Sequence, residues 1–414
     1  MTNAAKIGFG IAAAVIVVVA AATSVGIYYL VSFNHGRVLF EQGRVAMNRR
    51  EYETAISRFD AALRTRLSAN YLAYTYGDRA YCRRKKGQRD EALRDNTEAI
   101  RLNPRLVFAY EARGDLYEDK GDTDKAIQDY TEAIRVNPNA TEAFYRRAFL
   151  FRKRRETDKA IADFSEAIRS SPNYTPAYAE RGASYADQGD LDRALASLDA
   201  AIDLWPKYAW AYYQRGAVYR RKGNLEKAIN DFTEAIRLNP KGENALEIRG
   251  SAYSKKGDHD RAVADFSALI RLKPTRRAYD HRARAYAKKG DYALAVADFK
   301  RARQLSEVVT ISVKGLAWLR STCPDASFRN GKEAVAEATK DCEATRWKSW
   351  SCLDTLAAAH AEDGNFEDAI KYQQQALGME AIPDQRAAME KRLALYQKHL
   401  PFRELNKPVP GETG

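Results

Sequence analysis

Between residues 107 and 140 the apolar positions fall at helical spacing. Phe108, Tyr110, Leu116 and Tyr117 make one stripe, and Ala126, Ile127, Tyr130, Ala133, Ile134 and Val136 make a second. That spacing belongs to amphipathic helices and not to strands. Gly121 and Asp122 sit between the stripes, and Pro138 follows the second. Glycine stops a helix, aspartate caps the next one, and proline bars continuation. The segment therefore predicts two short helices joined by a tight turn. Neither helix is large enough to hide its apolar face alone, so such pairs must stack on neighbours.

The same arrangement recurs along the chain. Prolines stand at Pro104, Pro138, Pro172, Pro206, Pro240 and Pro274, a step of 34 residues. Gly87, Gly121, Gly189, Gly223 and Gly257 keep that step, with Arg155 in the place of the missing glycine. Ala92, Ala126, Ala160, Ala194, Ala228 and Ala262 keep it too, and Ala295 follows after a one-residue deletion. The order Tyr110, Gly114, Tyr117, Gly121, Ala126, Tyr130, Ala133, Pro138 resembles the tetratricopeptide repeat, and Tyr212, Gly216, Tyr219, Gly223, Ala228, Phe232, Ala235, Pro240 resembles it more closely. The resemblance covers about 36–309 as eight units. It implies an all-α fold, a right-handed superhelical solenoid of helix–turn–helix units.

Residues 310–383 read as two degenerate units, the first with a longer turn around Pro324 to Asn330. Residues 384–402 read as a capping helix carrying Leu393, Leu395 and Tyr396, and 403–414 as a flexible tail. This end resembles those of many bacterial tetratricopeptide proteins. At the other end, 1–6 is a short tail and 7–33 an expected transmembrane helix. Ile7 to Val31 is a run of 25 residues inside a stretch without Lys, Arg, Asp or Glu. As a helix it spans roughly 37 Å, enough to cross the ~30 Å hydrocarbon core with tilt. A cleaved leader, with Ala20 to Ala22 as its small-residue site, is the competing reading. The Lys/Arg count around the segment favours a single-pass protein of the bacterial inner membrane with its body on the cytoplasmic side.

Composition narrows the function. The chain has 414 residues, 68 Lys+Arg against 55 Asp+Glu, and a net charge of +13. Its 4 cysteines and 5 scattered histidines suit neither a disulfide scaffold nor a metal cluster. Cys323 and Cys342 are placed to bridge the longer turn in an oxidising compartment, or to be buried small apolar residues in a reducing one. Repeats and cap leave no room for a catalytic domain, and no phosphate-binding glycine loop, GxSxG or HExxH is present. The expectation is a protein without enzymatic activity or cofactor.

Three sets of residues carry candidate chemistry. Arg79, Arg113, Arg147, Arg181, Arg215 and Arg249 recur at the repeat step, and Arg282 follows the deletion. Asp95, Asp129, Asp163, Asp231, Asp265 and Asp298 form a matching series that Ser197 interrupts. Because acid and base recur together, this arginine ladder is expected to be structural, each guanidinium meeting an aspartate. Basic clusters such as Arg83 to Lys86, Arg152 to Arg155 and Arg220 to Lys222 end first helices. Cations there complement the helix macrodipole; the alternative is a basic edge that docks on anionic lipid or nucleic acid.

The third set follows from the resemblance, in which one side of each first helix lines a concave groove. By register those positions include Tyr74, Tyr81, Arg84, Glu142, Tyr145, Phe149, Arg152, Trp210, Tyr213 and Arg220. Aromatics beside arginine dominate protein interfaces. Family members that clamp a peptide carboxylate use Lys and Asn, whereas Glu111 and Asp115 stand at such places here, so that specificity does not carry over. The expected function is a scaffold or adaptor holding an extended segment of a protein partner near a membrane, with nucleic acid an improbable partner.

Overall fold

Residues 34–305, 314–379 and 383–404 are described by the structure, a computed structural model. They fall into two compact units that divide between Leu204 and Trp205. All regular secondary structure among the described residues is helical.

The first unit contains α1 (34–48), α2 (Tyr52–Leu63), α3 (Ala69–Lys85), α4 (Arg89–Leu102), α5 (Val107–Asp119), α6 (Thr123–Val136), α7 (Thr141–Lys153), α8 (Thr157–Ser170), α9 (Thr175–Gln188) and α10 (Leu191–Leu204). Each odd-numbered helix packs on the even one that follows, and from α2 to α9 each even helix packs on the next odd one. Alanine makes the close approach feasible: Ala126, Ala133, Ala160 and Ala167 are fully buried. Gly114 serves the same end, since a Cβ there would lie 2.8 Å from the Tyr130 ring.

The turns work as the spacing predicts. Gly121 has φ +82, and the Asp122 amide donates to Tyr117 O at 2.9 Å. Arg155, at the register position of that glycine, adopts φ 61. The turn geometry is thus imposed by the packed helices even where a side chain resists it.

The second unit contains α11 (Ala209–Arg221), α12 (Leu225–Leu238), α13 (Glu243–Lys256), α14 (His259–Leu272), α15 (Arg276–Lys289), α16 (Tyr292–Gln304), α17 (Lys314–Thr322), α18 (Gly331–Ala344), α19 (Trp350–Glu362), α20 (Phe366–Leu377) and α21 (Pro383–Tyr396). Its first six helices repeat the pattern. Beyond them the regularity fails: α17 has only 9 residues, a 3-10 turn at Ala326–Phe328 precedes α18, and α17 packs on α19 as well as on α18.

The arginine series ties pairs together. Arg113 on α5 donates to Asp129 on α6 through Nε and Nη2, both at 2.8 Å, and through Nη1 to Thr97 on α4 at 3.3 Å. Arg147 does the same with Asp163 and Thr131, Arg249 with Asp265 and Thr233, and Arg282 with Asp298 and Ser267. Arg79 bonds Asp95 and reaches Asp60 on α2, and Arg215 pairs with Asp231. Each guanidinium therefore links its own second helix, and in most units the preceding one. Arg181 meets only hydroxyls in this series, Ser197 at 3.3 Å and Ser165 at 3.4 Å.

Two expectations change. The α-helices with defined bounds run from 9 to 17 residues and carry polar faces, below the roughly 20 apolar residues a span requires. Among the described residues no helix is long and apolar enough to cross a membrane. Residues 7–33, on which the single-pass membrane placement rested, lie outside the described residues, and that placement is withdrawn. Secondly, the tail was expected to begin at 403, yet Arg403 and Glu404 are held by ion pairs to Glu362 and Lys288. The cysteines are thiols, all buried, so Cys323 and Cys342 are not bridged.

Candidate functional site

In the first unit two adjoining clefts open beside the first helices. One, of about 490 Å³, is lined by Phe40, Glu41, Arg44, Tyr74, Asp78 and Phe108. The other, of about 510 Å³, shares Asp78 and Phe108 and adds Tyr81, Arg84, Glu111 and Glu142. Tyr74 and Tyr81 are the exposed aromatics here, at 44% and 46%. Tyr74 stacks on Phe108 with ring centroids 5.8 Å apart, while Tyr81 meets Tyr52 edge-on and lies under the Lys85 ammonium. Phe108 can reach between the helices because Gly77 has no side chain; a Cβ there would lie 2.4 Å from the ring.

Carboxylates line the clefts between these aromatics. Asp115 accepts from Arg84 at 2.6 Å and from the Tyr130 hydroxyl at 2.8 Å. Glu142 accepts from Arg146 at 2.6 Å and from the Tyr174 hydroxyl at 2.7 Å. Glu111 has poorer compensation: burial, then Glu142 and Asp115, push its pKa up to about 7 against the Ala143 amide and Arg146. Burial likewise pushes Asp78 up to about 6, with Arg44 opposing and Glu41 reinforcing the rise. A carboxylate raised in this way is relieved by any cation that approaches it.

The other groove positions divide. Tyr145 is half-buried and turned into the stack, meeting Phe164 and Tyr174 at 5.8 and 5.3 Å. Phe149 lies under the Lys153 ammonium at 4.6 Å, and Arg152 binds Glu180 at 2.7 Å and Asp187 at 3.0 Å. In the second unit Trp210 and Tyr213 stack at 5.3 Å beside a cleft of about 340 Å³ that also involves Asn239 and Lys241, and Arg220 is exposed at the end of α11. The structure thus gathers Tyr74 and Tyr81 around one pair of clefts and Trp210 and Tyr213 at another, and takes Tyr145 into the packing. Phe108 and Asp78 complete the first site and were not among the residues expected to line it, whereas Glu111 stood at a groove position by register. The signal for them was two acids on first helices with Glu142 one unit further on.

Much of the basic edge is neutralised locally. Arg83 pairs with Asp95 at 2.8 Å, Lys153 with Glu118 at 3.0 Å, Lys289 with Asp260 at 2.9 Å, Lys86 with Glu53, and Arg154 with Asp124. Most of these pairs join first helices to acids on other elements, as a structural role for the clusters requires.

Tetratricopeptide repeat models match residues 111–175 and 249–307, 182–223, 209–241 and 351–379. With the helix pairs and the ladder, these place the chain in the tetratricopeptide-repeat family, whose members act as protein-interaction scaffolds. Among solved structures it is similar to YrrB, described as a TPR protein with an unusual peptide-binding site, at 26% identity over 48% of this chain and 97% of that one, TM-score 0.40. A tetratricopeptide repeat protein from Parabacteroides merdae matches at 22% identity over 56% and 93%, TM-score 0.46. PilF of Pseudomonas aeruginosa matches at 18% over 48% and 91%, TM-score 0.44. Comparison with curated proteins gives no match.

Proposed function

We propose that this scaffold holds extended segments of protein partners against the exposed sides of its first helices, without catalysis, and that the first unit selects a segment carrying a basic side chain next to an aromatic one. In this reading Tyr74, Tyr81, Phe149, Trp210, Tyr213 and Arg220 supply contact surface, and Arg152 and Tyr145 set its shape. The stacked helices of each unit wind as a right-handed superhelix, with the clefts on its inner side. The observation that carries the proposal is the pairing of exposed Tyr74 and Tyr81 with the raised carboxylates Asp78 and Glu111 across shared clefts. Aromatic anchors contribute most of the energy at protein interfaces, and an incoming Lys or Arg relieves carboxylates that burial has disfavoured.

The test uses fluorescein-labelled decapeptides of Gly, Ser and Ala bearing one Phe and two Lys, titrated against the full chain by anisotropy. Binding should weaken at least tenfold for Glu111→Lys and for the Tyr74→Ala, Tyr81→Ala pair. A Glu-for-Lys peptide should bind at least tenfold more weakly. Equal affinity of the two peptides, or indifference to both variants, rejects the reading.

A further inference from the structure

The end of the described chain lies against first helices of the second unit. After α21 the Leu400 amide closes on Leu395 O at 3.0 Å, and residues 401–404 then run without helical structure across α15, α17 and α19, three first helices of the second unit. Every residue from 402 to 404 has a distinct receiver. Phe402 packs on Trp318 with ring centroids 6.0 Å apart, and the Arg392 guanidinium lies 5.3 Å from one ring and 5.5 Å from the other. That guanidinium is itself fixed by two 2.9 Å bonds to Asp354. Arg403 pairs with Glu362 at 2.6 Å and donates to Ser321 O at 3.4 Å. The Glu404 amide donates to Thr322 O at 2.9 Å, while its carboxylate accepts from Trp318 Nε1 at 2.8 Å and from Lys288.

These contacts read side chains in order: an aromatic wall, an acid and a cation, with a main-chain bond to set the register. A segment held only to hide apolar surface needs none of the last three. The segment is half-buried: Glu404 and Arg403 stand at 34% and 29% of their side chains and Glu362 at 13%, while Lys288 is open to solvent at 54%. The Lys288–Glu404 pair lies at the rim, and rim pairs contribute little stability, so the end of the segment is open to exchange. Beside Glu404 a cavity of about 170 Å³ is lined by Tyr292, Phe299, Leu319 and Cys323.

We infer that α15, α17 and α19 form a second recognition groove, specific for an extended aromatic–basic–acidic segment, and that residues 402–404 occupy it as a ligand in cis. A protein partner bearing the same order of side chains binds there by displacing them. The groove shares no residue with the clefts of the first unit, so either proposal can fail alone.

The probe is a fluorescein-labelled hexapeptide with the sequence of residues 400–405, titrated against the full chain and against the full chain carrying Phe402→Ala, Arg403→Ala and Glu404→Ala. The substituted chain should bind the peptide at least tenfold more tightly than the natural one. Exchanging Arg and Glu within the peptide should abolish binding, and so should Glu362→Lys or Lys288→Glu added to the substituted chain. Equal binding by the two chains, or no binding by a substituted chain of unchanged circular dichroism, overturns the inference. Loss of helical signal on the triple substitution overturns it too, because the segment would then be part of the fold. The single Glu404→Arg variant gives a milder check: it should raise peptide affinity about threefold or more, and no change counts against the inference.

Discussion

The repeats between α3 and α8 and the helices from α17 to α21 solve one problem by different means. In the former, an arginine on a first helix reaches an aspartate 16 residues later, as Arg113 reaches Asp129. In the latter the polarity is reversed and the span longer: Asp354 stands on the first helix and Arg392 arrives from α21, 38 residues on. The periodic region is held by many equivalent local pairs, so the loss of one should stay local. The final region depends on a few contacts of its own, through which loss of one residue spreads to α19, α21 and the segment after it.

The largest effect should follow Arg392→Ala. Asp354 and Arg392 are both buried, and removing one partner of such a pair costs about 3–5 kcal/mol. Urea unfolding followed by hydrogen exchange should show the loss throughout α19 to α21. Asp129→Ala should give a loss of about 3 kcal/mol restricted to α5, α6 and their neighbours. Equal spreading from both sites would break the comparison. A gain is expected where the ladder lacks an acid: Ser197→Asp should give Arg181 a bidentate partner and stabilise by about 1–2 kcal/mol. Arg155→Gly should add about 1 kcal/mol by relieving the positive φ.

A further effect concerns pH. Glu111 has a folded pKa of about 7 against an ordinary 4.5, so between those values the folded chain binds more protons than the unfolded one. Its contribution to stability therefore declines as pH rises from 4.5 to 7 and stays low above that. Glu111→Gln should flatten the change in urea midpoint between pH 5 and pH 8. An unaltered slope would show that the carboxylate is not held against its charge.

What could be read from the sequence is what repeats. The 34-residue step located the helix pairs, and the paired recurrence of Arg113 with Asp129 and its equivalents pointed to internal ion pairs. Tyr145 stands in register with Tyr213, two repeat steps on, but Tyr174 from the following turn closes over it, a contact that depends on packing between units. Glu111 stood at a groove position by register, but its raised carboxylate and that of Asp78 were illegible because their charge balance depends on which cations reach them. The segment after α21 has no counterpart elsewhere in the chain, so no period announced it. A Phe-Arg-Glu triplet just beyond a helix-ending Leu-Pro was the available clue.

The buried cysteines give each half of the molecule its own gauge. Cys82 lies in the first unit at 0% exposure, its thiol pushed by burial up to about 12, and Cys323, Cys342 and Cys352 lie in the second at 3% or less. A sulfhydryl reagent in native buffer can react only through transient opening. The mass increments should then arrive on two clocks, one alkylation timing the breathing of the first unit and three timing that of the second.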